Sequence, residues 1–445
     1  MRPITHTRVL AIALPVVLSN VTVPILGAVD TGVIGQLGNA AAIGAVGIGA
    51  IVLNAIFWMF GFLRMGTTGF AAQAVGAGDA RELAAIFARV LVFGVVVGCM
   101  LILIQGLLFT GAFMISPASA EVERLARLYL EIRIYSAPAV IAVYGLSGWL
   151  IGTERTRDVF IIQFGMNAAN IVLDLWFVLG LGAGIEGVAY ATLIAEWGGL
   201  LTALFLCRAT LRNAQTWIWP HIMDRVKLLK MTVVNRDILL RSLMLQIMFV
   251  SFLLIGSDFD DDTLAANQVL LQFISITAYG MDGFAFTVEA LVGQAVGARS
   301  IVRLREAVIK CGQWGVAVGL LGAVAFWLFG GQIIDTMAKV ETVQVMARVY
   351  LPYMVFVPII GVFPWMLDGI FIGATRGPDM RNMMAVSLIV YLAALMILLP
   401  NFGNHGLWIA FLISFAARGL TLGLRYPKID PILSNLSISP EEYTV

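Results

Sequence analysis

Charge is what this chain has least of. Only 12% of its 445 residues are Asp, Glu, Lys or Arg, where a soluble domain carries about a quarter. Hydrophobic residues make up 60% of the chain, and its mean hydropathy is +0.93. So few charges cannot cover a water-facing surface of this size, so lipid must be the main solvent. The net charge of +1 gives no electrostatic basis for a nucleic-acid partner. Cys99, Cys207 and Cys311 stand alone in separate apolar stretches, which excludes a disulfide framework and metal-ligand spacing. His6, His221 and His405 are scattered near the ends of apolar runs. No GxxxxGK[ST] occurs, so ATP drive is not expected; no HExxH, GxSxG or Cys/His cluster points to an enzyme or a cofactor.

What is present is long apolar segments. A bilayer core of about 30 Å takes roughly 20 apolar residues in a helix. Twelve such segments are expected, near 9–34, 42–63, 86–109, 125–152, 159–180, 185–207, 236–257, 263–287, 307–330, 345–373, 380–400 and 404–424. They are continuously apolar rather than alternating, which argues for helices over a barrel. The first continues to about Ile34, too long for a signal-peptide core, and is read as a retained helix. Lys and Arg then set the orientation. Of the 28, 23 fall in alternate gaps, beginning with Arg2 and Arg8. The opposite side has Arg124, Arg127, Arg133, Lys339 and Arg348, with the acidic loop Asp258–Asp262. Both termini are therefore expected in the cytoplasm.

An internal repeat organises these spans. QAVGA at Gln73–Ala77 returns at Gln294–Ala298, 221 positions later. IGTER at Ile151–Arg155 returns as IGATR at Ile372–Arg376, at the same offset, and Gly184 and Gly187 return at Gly403 and Gly406, 219 later. The fold expected is all-α and polytopic, with twelve transmembrane helices in two pseudo-symmetric six-helix bundles. The division expected is an N-terminal lobe over 1–207, a basic cytoplasmic linker over 208–235, a C-terminal lobe over 236–424 and a cytoplasmic tail over 425–445. An even helix number per half makes the halves parallel repeats.

Charges inside the spans cost roughly 2.5–3.5 kcal/mol each, so they are the first candidates for a task. Asp30 lies in the outer half of the first span. Asn170 and Asp174, four apart, share a face of the fifth, and Thr192 and Glu196 share one of the sixth. Their oxygens suit a hard cation such as Na⁺, and the same carboxylates could carry protons. The competing reading is that such groups tie helices together or line a wet vestibule. The second half has different acids: Asp282 and Glu289 in the eighth span and Asp368 in the tenth, with Asn267 and Gln268 before them. These are candidates for substrate contact, although Glu289 also reads as a solvated helix end. The offset places Ser251 where Asp30 stands in the first half. Pro15 and Pro24 interrupt the first span and Pro358 and Pro364 the tenth, where a missing backbone donor permits bending.

Four stretches then resemble the multidrug and toxic compound extrusion (MATE) family, most closely its DNA-damage-inducible F (DinF) branch. They are LPVVLSNVTVPILGAVDTGVIGQLG at 14–38, LAANQ at 264–268, GMDGFAFTVEALVGQAVGA at 280–298 and WMLDGIFIGATR at 365–376. The resemblance covers nearly the whole chain. It implies two six-helix bundles around a cleft that opens alternately to each side, and an antiporter driven by H⁺ or Na⁺. It implies a cation site on Asp30, Asn170, Asp174 and Thr192, which match the family's pattern, and a bend of the first helix at Pro15. Ser251 departs from branches that place an acid on the seventh helix, whereas Asp368 matches one on the tenth. The function expected is export of organic, cationic or neutral amphipathic compounds from a bacterial inner membrane by a monomer among lipids. The alternative is a flippase for a lipid or lipid-linked precursor. That cavity should be rich in basic residues, and the deep positions here are mostly acidic.

Overall fold

The computed structural model describes residues 2–36, 39–115 and 119–429. The expected tail lies outside them from residue 430 onward. Among the described residues every regular element is a helix. A chain in lipid must satisfy its backbone hydrogen bonds internally, and helices do so within each segment.

Among the described residues, eleven helices are long and apolar enough to cross a bilayer. They are α1 (His6–Gly35), α2 (Ala40–Ala77), α3 (Ala80–Leu103), α4 (Ala120–Gly152), α5 (Thr156–Gly180) and α6 (Gly184–Leu206). Then come α7 (Arg225–Gly256), α8 (Asp261–Gly297), α9 (Ile301–Met337), α10 (Glu341–Gly373) and Gly377–Arg425. The last has 49 residues, about 74 Å of helix at 1.5 Å per residue, more than twice a bilayer core. Gly403 breaks it, with φ 53° and ψ −131°, a conformation open to glycine and strained for other residues. The two pieces, α11 (377–402) and α12 (404–425), bring the spans to the twelve expected. Some helices run past the segments that hydropathy marks: α8 ends at Gly297, and α7 begins at Arg225, inside the expected linker, whose remainder holds short helices at Arg208–Leu211 and Trp219–Ile222. α1 runs as one helix past Pro15 and Pro24, and α10 runs through Pro352, Pro358 and Pro364.

The repeat is visible in the backbone. Glu154 and Thr375, 221 apart, both take positive φ (61° and 53°) at helix ends. Each end is closed in the same way: Arg155 N donates to Leu150 O at 2.8 Å, and Arg376 N to Phe371 O at 2.9 Å. Arg155 pairs with Asp158 three residues on, and Arg376 with Asp379. Gly78 (φ 70°) likewise corresponds to Arg299 (φ 53°). The two QAVGA copies pack on one another. A methyl on Gly76 would strike the Gln294 backbone, and one on Gly297 would strike the Gln73 backbone. The repeated glycine therefore keeps two helices in backbone contact.

The chain forms two compact units. One comprises Met1–Val17, Ala72–Gly78 and Leu229–Val445; the other comprises Leu18–Ala71 and Asp79–Leu228. In the second of these, α3 and α4 touch through glycine: a Cβ on Gly94 or Gly98 would meet the backbone of Ala142 or Pro138. Small residues at such crossings replace the hydrophobic drive that lipid cannot supply. Buried Arg89 of α3 anchors the connecting segment. It donates to Ile222 O at 2.9 Å and His221 O at 2.5 Å, and pairs with Glu82, which also holds Lys227 at 2.6 Å. The other unit has an aromatic core in which Phe252, Tyr391, Trp408 and Phe411 meet edge to face or tilted.

Candidate functional site

The unit built from α2–α6 and the later part of α1 brings the four expected site residues together. Asn170 Nδ2 donates to Asp174 Oδ2 at 2.9 Å and to Thr192 Oγ1 at 3.2 Å. Asn170 and Asp174 are 2% and 1% exposed, and the Asp30 side chain interacts with that of Asp174 from α1. Asp174 is the last α-helical residue of α5 before a π-helical turn, Leu175–Gly180. Such turns rearrange backbone carbonyls and recur at functional sites. Buried polar atoms are nearly always hydrogen-bonded. Here Oδ1 of Asp30, Oδ1 of Asn170 and Oδ1 of Asp174 are all buried without a partner.

Three features of this site were not read from the sequence. Arg133, counted there on the outer flank, is buried inside α4 at the 3₁₀ break Ile134–Ser136. It grips Glu196 with both terminal nitrogens, one at 3.1 Å, and donates to Ser136 Oγ at 3.1 Å and Tyr129 Oη at 3.4 Å. Glu196 thus faces inward, one helical turn from Thr192. Thirdly, α5 carries a second polar layer: Gln163 Nε2 donates to Asn167 Oδ1 at 3.1 Å, and Asn167 Nδ2 to Thr22 Oγ1 of α1 at 2.6 Å. Gln163, Asn167, Asn170 and Asp174 follow helical spacing, a stripe that the sequence does display.

The equivalent place in the other unit is filled. Counting 221 onward from Asp30, Asn170 and Asp174 gives Ser251, Tyr391 and Leu395. Tyr391 is fully buried; its hydroxyl accepts from Ser251 at 3.3 Å and donates to Met248 O at 3.4 Å. The other residues singled out there have different surroundings. Asp368 is held by Arg241 of α7 and Arg418 of α12, all three buried. Asn267 exchanges hydrogen bonds with Asn404 at 2.8 and 3.0 Å, and its Oδ1 also accepts from Trp408 Nε1 at 2.9 Å. Those bonds tie α8 to α12. Glu289 is 2% exposed, not a solvated helix end, and Asp282 is half-buried.

The family model MatE matches residues 15–176 and, once more, 238–398, one match in each half of the repeat. The chain belongs to the MatE family. This is a family of membrane transporters, and the resemblance read from the sequence holds. The chain is 40% identical to DNA damage-inducible protein F of Escherichia coli over 413 residues, 92% of this chain and 90% of that protein. It is 26% identical to the multidrug resistance protein NorM of Aliivibrio fischeri, over 71% of this chain and 69% of that protein. The crystal structure of the Vibrio cholerae MATE transporter VcmN in the bent form has the same fold. The TM-score is 0.87 at 19% identity, covering 98% of each chain.

Proposed function

We propose that this MatE protein is an antiporter that exports organic, cationic or neutral amphipathic compounds from a bacterial inner membrane. It is driven by H⁺ or Na⁺ taken up at Asp30, Asn170, Asp174 and Thr192. The observation that carries this reading is the set of three buried, unpartnered oxygens on Asp30, Asn170 and Asp174. Two carboxylates and an amide oxygen, removed from water, present a cradle that a cation or protons would complete. The relatives support the direction of transport, since one is described as a multidrug resistance protein.

In this mechanism a cation enters with the cleft open outward and neutralises the carboxylates. The network linking α1, α5 and α6 then relaxes, α1 bends at Pro15 or Pro24, and cargo is bound less well and leaves. The ion moves this equilibrium only by its differential affinity for the two states. The flippase reading needs basic groups open to an anionic headgroup. Arg133 is spent on Glu196, Arg241 and Arg418 on Asp368, and Arg89 on Glu82 and two carbonyls, which disfavours it. Purified protein in liposomes should export an organic cation under a pH gradient alone or a Na⁺ gradient alone. Transport indifferent to both gradients would remove the coupling.

The same reading puts both termini in the cytoplasm. With Cys99, Cys207 and Cys311 replaced, Asp260→Cys should react with an impermeant thiol reagent in intact cells and Lys227→Cys should not. The reverse pattern inverts the orientation.

A further inference from the structure

A groove of about 750 Å³ runs between α9, α10 and α12, and none of the polar-site residues lines it. Its walls are almost wholly apolar, with Val308, Gly312, Ile359, Phe363, Met366 and Gly423 among them. Along α9 it extends from Val308 to Val316 and along α10 from Ile359 to Ile370. These stretches measure about 12 and 17 Å at the α-helical rise. One leaflet contributes about 15 Å, half the hydrocarbon core. The groove is therefore as deep as a single acyl chain's leaflet. It is also recessed, because no side chain fills it. A Cβ on Gly312 would meet nothing within 4 Å, and one on Gly423 would meet only Leu367 Cδ1, at 4.0 Å.

One end of the groove is charged. Tyr426 lines it there, just past the end of α12, between Arg425 and Lys428. Arg303 and Arg305 stand in the first turns of α9, ahead of Val308 where its wall of the groove begins, with the single acid Glu306 beside them. An apolar slot one leaflet deep, with a basic rim, matches one ligand chemistry: an acyl chain carrying an anionic headgroup. Basic side chains at a membrane surface each favour anionic lipid by about fivefold.

We propose that this groove is a binding site for one anionic phospholipid. Its acyl chain lies along α10 and its phosphate sits against Arg425 and Lys428. The bound chain then packs directly on the helix that carries Pro358, Pro364 and Asp368, whose conformation would depend on the lipid present. This site is independent of the coupling site proposed above.

Native mass spectrometry of the purified protein, titrated with phosphatidylglycerol or phosphatidylcholine, tests this. One phosphatidylglycerol should be retained in preference to phosphatidylcholine. Arg425→Gln with Lys428→Gln should weaken that retention by about twenty-fivefold, about fivefold per basic residue lost. Gly312→Leu with Gly423→Leu fills the slot and should remove the retained lipid of either kind. Should the filled variant not fold, the charge variant decides alone. Equal retention of the two lipids overturns the proposal, as does phosphatidylglycerol held equally tightly by the charge variant. Displacement of the lipid by ethidium, an organic cation, also overturns it, since the groove would then be a port for cargo.

Discussion

Asp174→Asn protein should reach the membrane folded and export nothing against a gradient. The change keeps shape and volume and removes one charge. Asn170 Nδ2, which now donates to Asp174 at 2.9 Å, still finds an oxygen at an asparagine. Stability should therefore change little, or rise, since a costly buried carboxylate has been neutralised. What the proposed coupling would lose is the ability to gain and release a cation. Asp30→Asn should behave in the same way, and the double variant should be no worse than either alone, because the two residues act as one unit. Gradient-driven export should fall to the level of empty liposomes in all three. Binding of cargo without a gradient should persist.

Asp368→Asn should fail differently. Asp368 is buried between Arg241 and Arg418, so its removal leaves two buried guanidiniums without their shared counter-ion. Breaking a buried pair by removing one partner costs about 3–5 kcal/mol, enough to deplete folded protein. The melting temperature in detergent should drop and the yield of monodisperse protein should fall. Arg418→Gln added to Asp368→Asn should recover part of the loss, since it removes a charge that no longer has a partner. An unchanged melting temperature would mean that the three groups are not the mutual support their geometry indicates. Asp368 was read from the sequence as a candidate for substrate contact. Its arginines make loss of fold the larger expected effect.

The contrast between these two acids shows what a sequence displays and what it hides. Asp30, Asn170, Asp174 and Thr192 were legible because lipid makes each intramembrane polar group conspicuous and because four-residue spacing puts Asn170 and Asp174 on one face. The partners of Asp368 were not legible, since Arg241 and Arg418 come from helices 127 and 50 residues away in the chain. Both stand near the ends of apolar runs, where a basic residue reads as a cytoplasmic flank. Arg133 was misplaced for the same reason: a basic residue near the end of an apolar run reads as a surface charge until its acid is found. The span count followed from hydropathy, but the start of α7 did not. Hydropathy registers only the apolar part of a helix, and α7 continues beyond its apolar run as far as Arg225. The Gln163–Asn167 layer was available in the spacing and went unread.

The most direct test of the proposed coupling site is the release of cation when cargo binds. Purified protein in weakly buffered detergent is mixed with an organic cation, and expelled protons are followed with a pH dye or expelled radioactive sodium by filtration. Unaltered protein should release cation on each addition, Asp30→Asn and Asp174→Asn should release none, and the folded fraction of Asp368→Asn should release it normally. Release that survives in Asp174→Asn and vanishes in folded Asp368→Asn would place the ion in the other half of the molecule and contradict the assignment.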